Sequence, residues 1–378
     1  MRIILITVLV LTLLQTTNAQ TNKRAREWGL RIGVMPTCQW NAITDVPGVK
    51  VGHTTLIKGD SIRTGVTAIL PYDGNIFQQK VPAAVFVGNG FGKLAGSTQV
   101  AELGNLETPV VLTNTLNVPV AMNALIEYTL QQKGNEKVQS VNAVVGETND
   151  SWLNDIRKQA VSKEDVLQAL QHAQTGPVAE GCVGAGTGTI CFGFKGGIGT
   201  SSRKLPQQLG GYMIGVLVQT NFGGVLQIDG APVGEELGQF DFSDHLKNNV
   251  DGSCMIVIAT NAPLDSRNLQ RLAKRAFMGL AKTGGIASNG SGDYVIAFST
   301  ADSVRIPYAP VSPIQSIPVL HNEYVTPLFM AAIEATEEAI INSLFAATTM
   351  KGKDGHIIQA IPMDKVKNIL QQYNRIKE

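Results

Sequence analysis

A layered α/β protein, of the α+β kind, is the fold class that this chain predicts. Three observations carry that reading. Short apolar runs alternate with longer helix-period patterns along most of the length. Most of those runs are apolar without interruption, as in strands covered on both faces. Glycine is abundant, at 39 of 378 residues, while aromatic residues make up only 6%. That balance suits many tight turns and close backbone approaches.

Taken in order, the predicted strands are Ala83–Gly88, Val110–Thr113, Ala143–Val145, Ile190–Phe194, Tyr212–Thr220, Met255–Thr260 and Tyr294–Ser299. The predicted helices are Val118–Lys133, Lys163–Gln174, Ser266–Thr283 and Glu323–Phe345. Asp265 or Ser266 is placed to cap the third of these. The stretch 239–249 is polar and reads as an exposed loop. Neither an internal repeat nor a low-complexity tail is present.

The N-terminus carries an address. Met1-Arg2 supplies a positive charge, Ile3 to Leu14 is a short apolar run, and Thr17-Asn18-Ala19 offers small residues for cleavage before Gln20. This pattern predicts a secretory signal peptide over 1–19, and the remaining 20–378 is long enough for one large domain or two ordinary ones. The expected destination is the periplasm or the medium. A net charge of +1 gives no electrostatic reason to expect nucleic acid. Export makes disulfides possible for Cys38, Cys182, Cys191 and Cys254, and sequence cannot choose among pairings or free thiols. No metal or cofactor is expected. The five histidines are scattered, and the glycine-rich run Gly181–Ile190 lacks the strand–loop–helix frame of a dinucleotide site.

The sharpest chemical feature is Gly252-Ser253-Cys254 at the head of an apolar strand. Glycine leaves its carbonyl carbon unshielded, and serine carries a hydroxyl next to it. A protein that cuts its own backbone to expose a nucleophile needs that pair, although Gly-Ser also makes ordinary turns. Three further polar groups flank apolar runs. Ser291 and Asp293, at i and i+2, could relay a proton or simply stabilise a turn. Asn221 could donate to an oxyanion or form a turn. Glu147, followed by Asn149 and Asp150, could bind an ammonium or cap a helix starting near Asp150.

The run from Gly88 to Leu116 (GNGFGKLAGSTQVAELGNLETPVVLTNTL), Val145–Thr148, Gln219–Gly223, Gly252-Ser253 with its strand, and Ser288–Tyr294 together resemble the DmpA/BapA family. These are L-aminopeptidase/D-esterases and β-peptidyl aminopeptidases. The resemblance covers nearly the whole chain after the leader. It implies a four-layer α-β-β-α sandwich with two central mixed sheets, shared with ornithine acetyltransferases. It implies self-cleavage between Gly252 and Ser253 into an α-chain, 20–252, and a β-chain, 253–378, assembled as a tetramer of αβ units.

By motif match, Ser253 is the nucleophile, and Ser291 and Asp293 are its proton-handling partners. Asn221 serves the oxyanion, Glu147 binds the substrate ammonium, and Asn149 stands where some relatives have tyrosine. Relatives also carry glutamate at the Asp293 position. Small peptides, amides or esters with a free amine are the implied substrates, β-amino acid peptides included. The alternatives from other classes are an acyltransferase of the ornithine acetyltransferase type and an exported binding protein without chemistry. A third places a thiol nucleophile at Cys254.

Overall fold

Strands that are apolar on both faces must be covered on both, and the chain meets that demand by stacking two sheets between two helical layers. The computed structural model describes residues 23–243 and 252–377. The expected leader over 1–19 and most of the loop expected over 239–249 lie outside the described residues.

In chain order the long strands are β1 Lys50–Lys58, β2 Ile62–Leu70, β3 Gln79–Gly90, β4 Val110–Asn114, β5 Val144–Thr148, β6 Ile198–Lys204, β7 Met213–Asn221, β8 Ser253–Thr260 and β9 Gly292–Ser299. The helices that pack on them are α1 Ser97–Leu103, α2 Val118–Leu130, α3 Lys163–Gln171, α4 Ser266–Lys282, α5 Thr326–Ala346 and α6 Met363–Gln372.

One sheet runs β1-β2-β4-β5 and ends on the short segment Leu94–Ala95. The other runs β6-β7-β8-β9-β3 and ends on Ile306–Pro307. Both are mixed: β4 with β5 and β8 with β9 are parallel, and the other long-strand neighbours are antiparallel.

Side-chain alternation along β8 shows how the layers form. Met255, Val257 and Ala259 enter the core between the sheets, beside Leu112, Leu217 and Ile296. Cys254, Ile256 and Ile258 enter the opposite core, beside Leu269 and Leu272 of α4 and Ile340 and Leu344 of α5. A third cluster joins Val66 and Val111 of the first sheet to Ala121 and Leu125 of α2 and Val166 of α3. Each large aliphatic side chain buried this way contributes about 1.5–3 kcal/mol. The expected four-layer sandwich is the observed one.

Ten of the eleven predicted runs are present, most with shifted ends: the strands β3, β4, β5, β7, β8 and β9 and the helices α2 to α5. Asp265 is the cap of α4, accepting from the Asn268 amide at 2.8 Å. The exception is Ile190–Phe194. Phe192 and Gly193 have φ of +52° and +75°, so the segment folds into a hairpin between Ile190–Cys191 and Phe194–Lys195. No helix starts near Asp150; that stretch is a turn in which the Leu153 amide donates to the Asp150 carbonyl at 3.2 Å. The fourth predicted helix begins at Thr326, after a separate turn over Asn322–Tyr324.

Sheet register gathers one end of several strands. Asn221, the last residue of β7, pairs with Ser253, the first of β8. Ser253 pairs in turn with Gly292, the first of β9, and Gly292 with Gly90, the last of β3. Glu147 lies near the end of β5 in the facing sheet.

Candidate active site

A cavity of about 890 Å³ opens at this gathered end. Its wall includes Gly252, Ser253, Asn221, Glu147 and Asn149, so five residues singled out in the sequence meet in one place. Ser291 and Asp293 are buried beside it in the neighbouring segment and strand.

Ser253 is 4% exposed. Its hydroxyl donates to the carbonyl oxygen of Gly252 at 2.6 Å. The Gly292 amide faces the same pair, 3.2 Å from the Gly252 carbonyl oxygen and 3.3 Å from Ser253 Oγ. The parallel register of β8 and β9 creates this arrangement, because it sets the first amide of β9 against the peptide entering β8. A donor at that carbonyl favours negative charge on its oxygen, which is where charge develops when a nucleophile attacks the carbon. Sequence reasoning missed this donor, since a backbone N–H leaves no mark on residue identity.

Asn221 is held at both ends of its amide. Its Oδ1 accepts from the Ile190 amide at 3.0 Å, and its Nδ2 donates to the Asn149 carbonyl at 3.1 Å. The Asn149 side chain accepts from the Ser151 amide at 3.0 Å, which shapes the turn after β5.

Glu147 is 4% exposed and is oriented rather than neutralised. The Lys93 amide donates to Oε1 at 2.9 Å, and the Thr115 hydroxyl donates to Oε2. The loop Gly90–Lys93 therefore forms a cavity wall and aims a carboxylate. Trp152 and Phe91 stand on the rim, both largely exposed.

Asp293 is 1% exposed and pairs with Cys254. Burial pushes its carboxyl up from 3.8 to about 6. The Ser291 hydroxyl and the Cys254 amide oppose that rise, yet neither makes a hydrogen bond of ordinary geometry to either carboxylate oxygen. Ser291 Oγ is likewise without a hydrogen-bond partner. Neither residue hydrogen-bonds to Ser253 Oγ. Cys254 is buried in the helix-side core, and burial together with the charge of Asp293 pushes its thiol well above the ordinary range. A thiol held neutral and away from the cavity is a poor nucleophile. All four cysteines are free, with Cys191 as well as Cys254 buried. Among the described residues, no three His, Cys, Asp or Glu side chains gather as a metal site.

The family model described as peptidase family S58 matches residues 41–358. The chain belongs to peptidase family S58. It is 41% identical over 375 residues to the beta-peptidyl aminopeptidase BapA of Sphingosinicella microcystinivorans, covering 93% of each chain. A solved protein of Pyrococcus horikoshii OT3 is 47% identical, with a TM-score of 0.86 over 93% of this chain and 100% of that one. The L-aminopeptidase D-Ala-esterase/amidase of Ochrobactrum anthropi is 36% identical, with a TM-score of 0.85 over 94% of this chain and 99% of that one. That structure is described as a prototype of the serine aminopeptidases and a variant of the Ntn hydrolase fold. As a member of family S58, this chain is a serine aminopeptidase with that fold.

Proposed function

We propose that the chain is an exported precursor that cleaves itself between Gly252 and Ser253 and then removes N-terminal residues from short peptides, amides or esters. The observation that carries this reading is the Ser253 hydroxyl lying against the Gly252 carbonyl, 2.6 Å from its oxygen, with the Gly292 amide on the same oxygen.

In processing, Ser253 Oγ attacks the Gly252 carbonyl carbon. The C–N bond breaks, the hydroxyl proton passes to the departing nitrogen, and an ester joins Gly252 to Ser253. Water then opens the ester, leaving a carboxylate on Gly252 and a free amine on Ser253. In turnover, the same oxygen attacks the carbonyl of the substrate's first residue. The amine leaves with a proton, and water releases the acyl group and restores the hydroxyl.

Glu147 supplies the preference for a free N-terminus. Its carboxylate is fixed by the Lys93 amide and the Thr115 hydroxyl, and faces the cavity with no ion pair to a basic side chain among the described residues. An ammonium entering there finds a partner, whereas an acylated amine leaves the carboxylate buried and unpaired. Asn221 serves the oxyanion once its amide turns from Asn149, and Ser291 and Asp293 handle protons beside β8. The cavity is large enough to admit the extra backbone methylene of a β-amino acid. The leader over 1–19 directs the protein to the periplasm or the medium, and the cleaved units assemble as tetramers.

The test is hydrolysis of α- and β-aminoacyl amides alongside their N-acetylated counterparts. Wild type should release amine from the free forms only, and Ser253→Ala from neither. Equal turnover of free and acetylated substrates, or activity in Ser253→Ala, would overturn the reading.

A further inference from the structure

The cavity holds two carboxylates on different walls, and only one is used above. Glu147 stands with Gly92 and Lys93, close to the β9 side: a Cβ on Gly92 would lie 3.1 Å from Glu147 Oε1 and 3.3 Å from the Gly292 Cα. Asp241 belongs to the other side, where Gly193, Phe222 and Gly223 follow or face the end of β7. Its amide donates to the Gly224 carbonyl at 3.1 Å, which anchors it there. Its Oδ2 is buried and takes no hydrogen bond, and no ion pair reaches it among the described residues. Burial pushes its carboxyl up; the Gly224 backbone amide opposes that rise, and among the described residues no cation does. Among the described residues, the one basic side chain lining the cavity, that of Lys93, stands on the Glu147 wall.

Ser253 lies between these walls, because β8 runs between β7 and β9. A substrate whose ammonium meets Glu147 and whose carbonyl meets Ser253 must extend its leaving portion toward the β7 wall. We propose that Asp241 is a specificity-determining residue that selects substrates with a positive charge on the leaving amine, such as peptides with lysine or arginine in second position. The inference rests on the acyl-enzyme reading above. A carboxylate without a cation of its own gains most from a ligand that brings one.

The experiment compares kcat/KM for two dipeptide amides that share the first residue and carry lysine or its uncharged isostere norleucine in the second position. Maturation of each protein is checked by intact mass. Wild type should favour lysine by about fivefold or more, and the preference should shrink as salt is added. Asp241→Asn should bring the ratio close to one, Asp241→Glu should keep part of it, and Asp241→Lys should reverse it. A wild-type ratio of one, or one unmoved by Asp241→Asn, would overturn the assignment. So would an equal fall in kcat on both peptides with the ratio intact, which would tie Asp241 to Ser253 instead of to the leaving group. If the variants fail to mature, the wild-type ratio and its salt dependence still decide. Failure of correctly matured wild type to hydrolyse either peptide would sink the acyl-enzyme reading and the inference with it, a result distinct from hydrolysis without charge preference.

Discussion

Asparagine in place of Asp293 should make the fold more stable at neutral pH and leave it unchanged in acid. The carboxyl is 1% exposed and neither oxygen takes a hydrogen bond, so the native state disfavours its ionised form. Burial raises its pKa from 3.8 to about 6. Because the native value lies above the unfolded one, the native state binds the proton more tightly. Below both values the group is neutral in either state and costs nothing. Stability is lost as pH rises from 3.8 to about 6, and above that the full cost stands. At 1.36 kcal/mol per tenfold change in acidity, that cost is about 3 kcal/mol. The amide is isosteric and does not ionise, so Asp293→Asn should recover most of it. For a domain of this size, about 3 kcal/mol corresponds to about 4 °C in Tm.

The assay is thermal unfolding at pH 4 and pH 7.5, with both forms carrying Ser253→Ala so that each remains a single chain. A gain of about 4 °C at pH 7.5 and almost none at pH 4 is expected from that same balance. An equal shift at both pH values, or destabilisation at pH 7.5, would refute the reasoning. A buried ion retained at such a cost beside the nucleophile strand fits a group that serves catalysis. The active enzyme should accordingly gain kcat as pH rises through about 6.

Two other outcomes follow from the site. If Glu147 meets the substrate ammonium as proposed, Glu147→Gln removes that charge, and kcat/KM for free-amine substrates should fall by about 30- to 1000-fold. The discrimination between free and N-acetylated substrates should collapse, which a steady-state comparison of the two would show; undiminished preference for the free amine would refute the role. Cys254→Ala deletes a buried thiol that faces the helices, so self-cleavage and turnover should persist with a loss of about 1–2 kcal/mol in stability. Loss of cleavage in that variant, read by denaturing gel, would return the thiol to candidacy as nucleophile.

What the sequence disclosed follows from what each element must bury. β8 was legible because Met255 to Ile258 face apolar cores on both sides and leave an unbroken apolar run. β1 and β2 were not, even though they pair with each other as a local hairpin, because Lys50, His53, Thr54, Thr55, Arg63 and Thr64 interrupt their apolar runs. Ile190–Phe194 has a strand's composition, yet the left-handed residues Phe192 and Gly193 turn it back on itself. In the site, Gly252, Ser253, Asn221 and Glu147 were legible because each flanks an apolar run whose end the sheets bring together. The Gly292 amide was not, since any residue but proline offers one. Asp241 was not either, because a lone aspartate in a polar loop looks the same whether it faces solvent or substrate.

Mass spectrometry of the purified protein under denaturing conditions tests the central claim most directly. Self-cleavage predicts two chains, the smaller running from Ser253 to Glu378 with serine at its N-terminus, and a single uncleaved chain for Ser253→Ala. A wild-type chain that stays whole through days of incubation, or one cut at another bond, would contradict it.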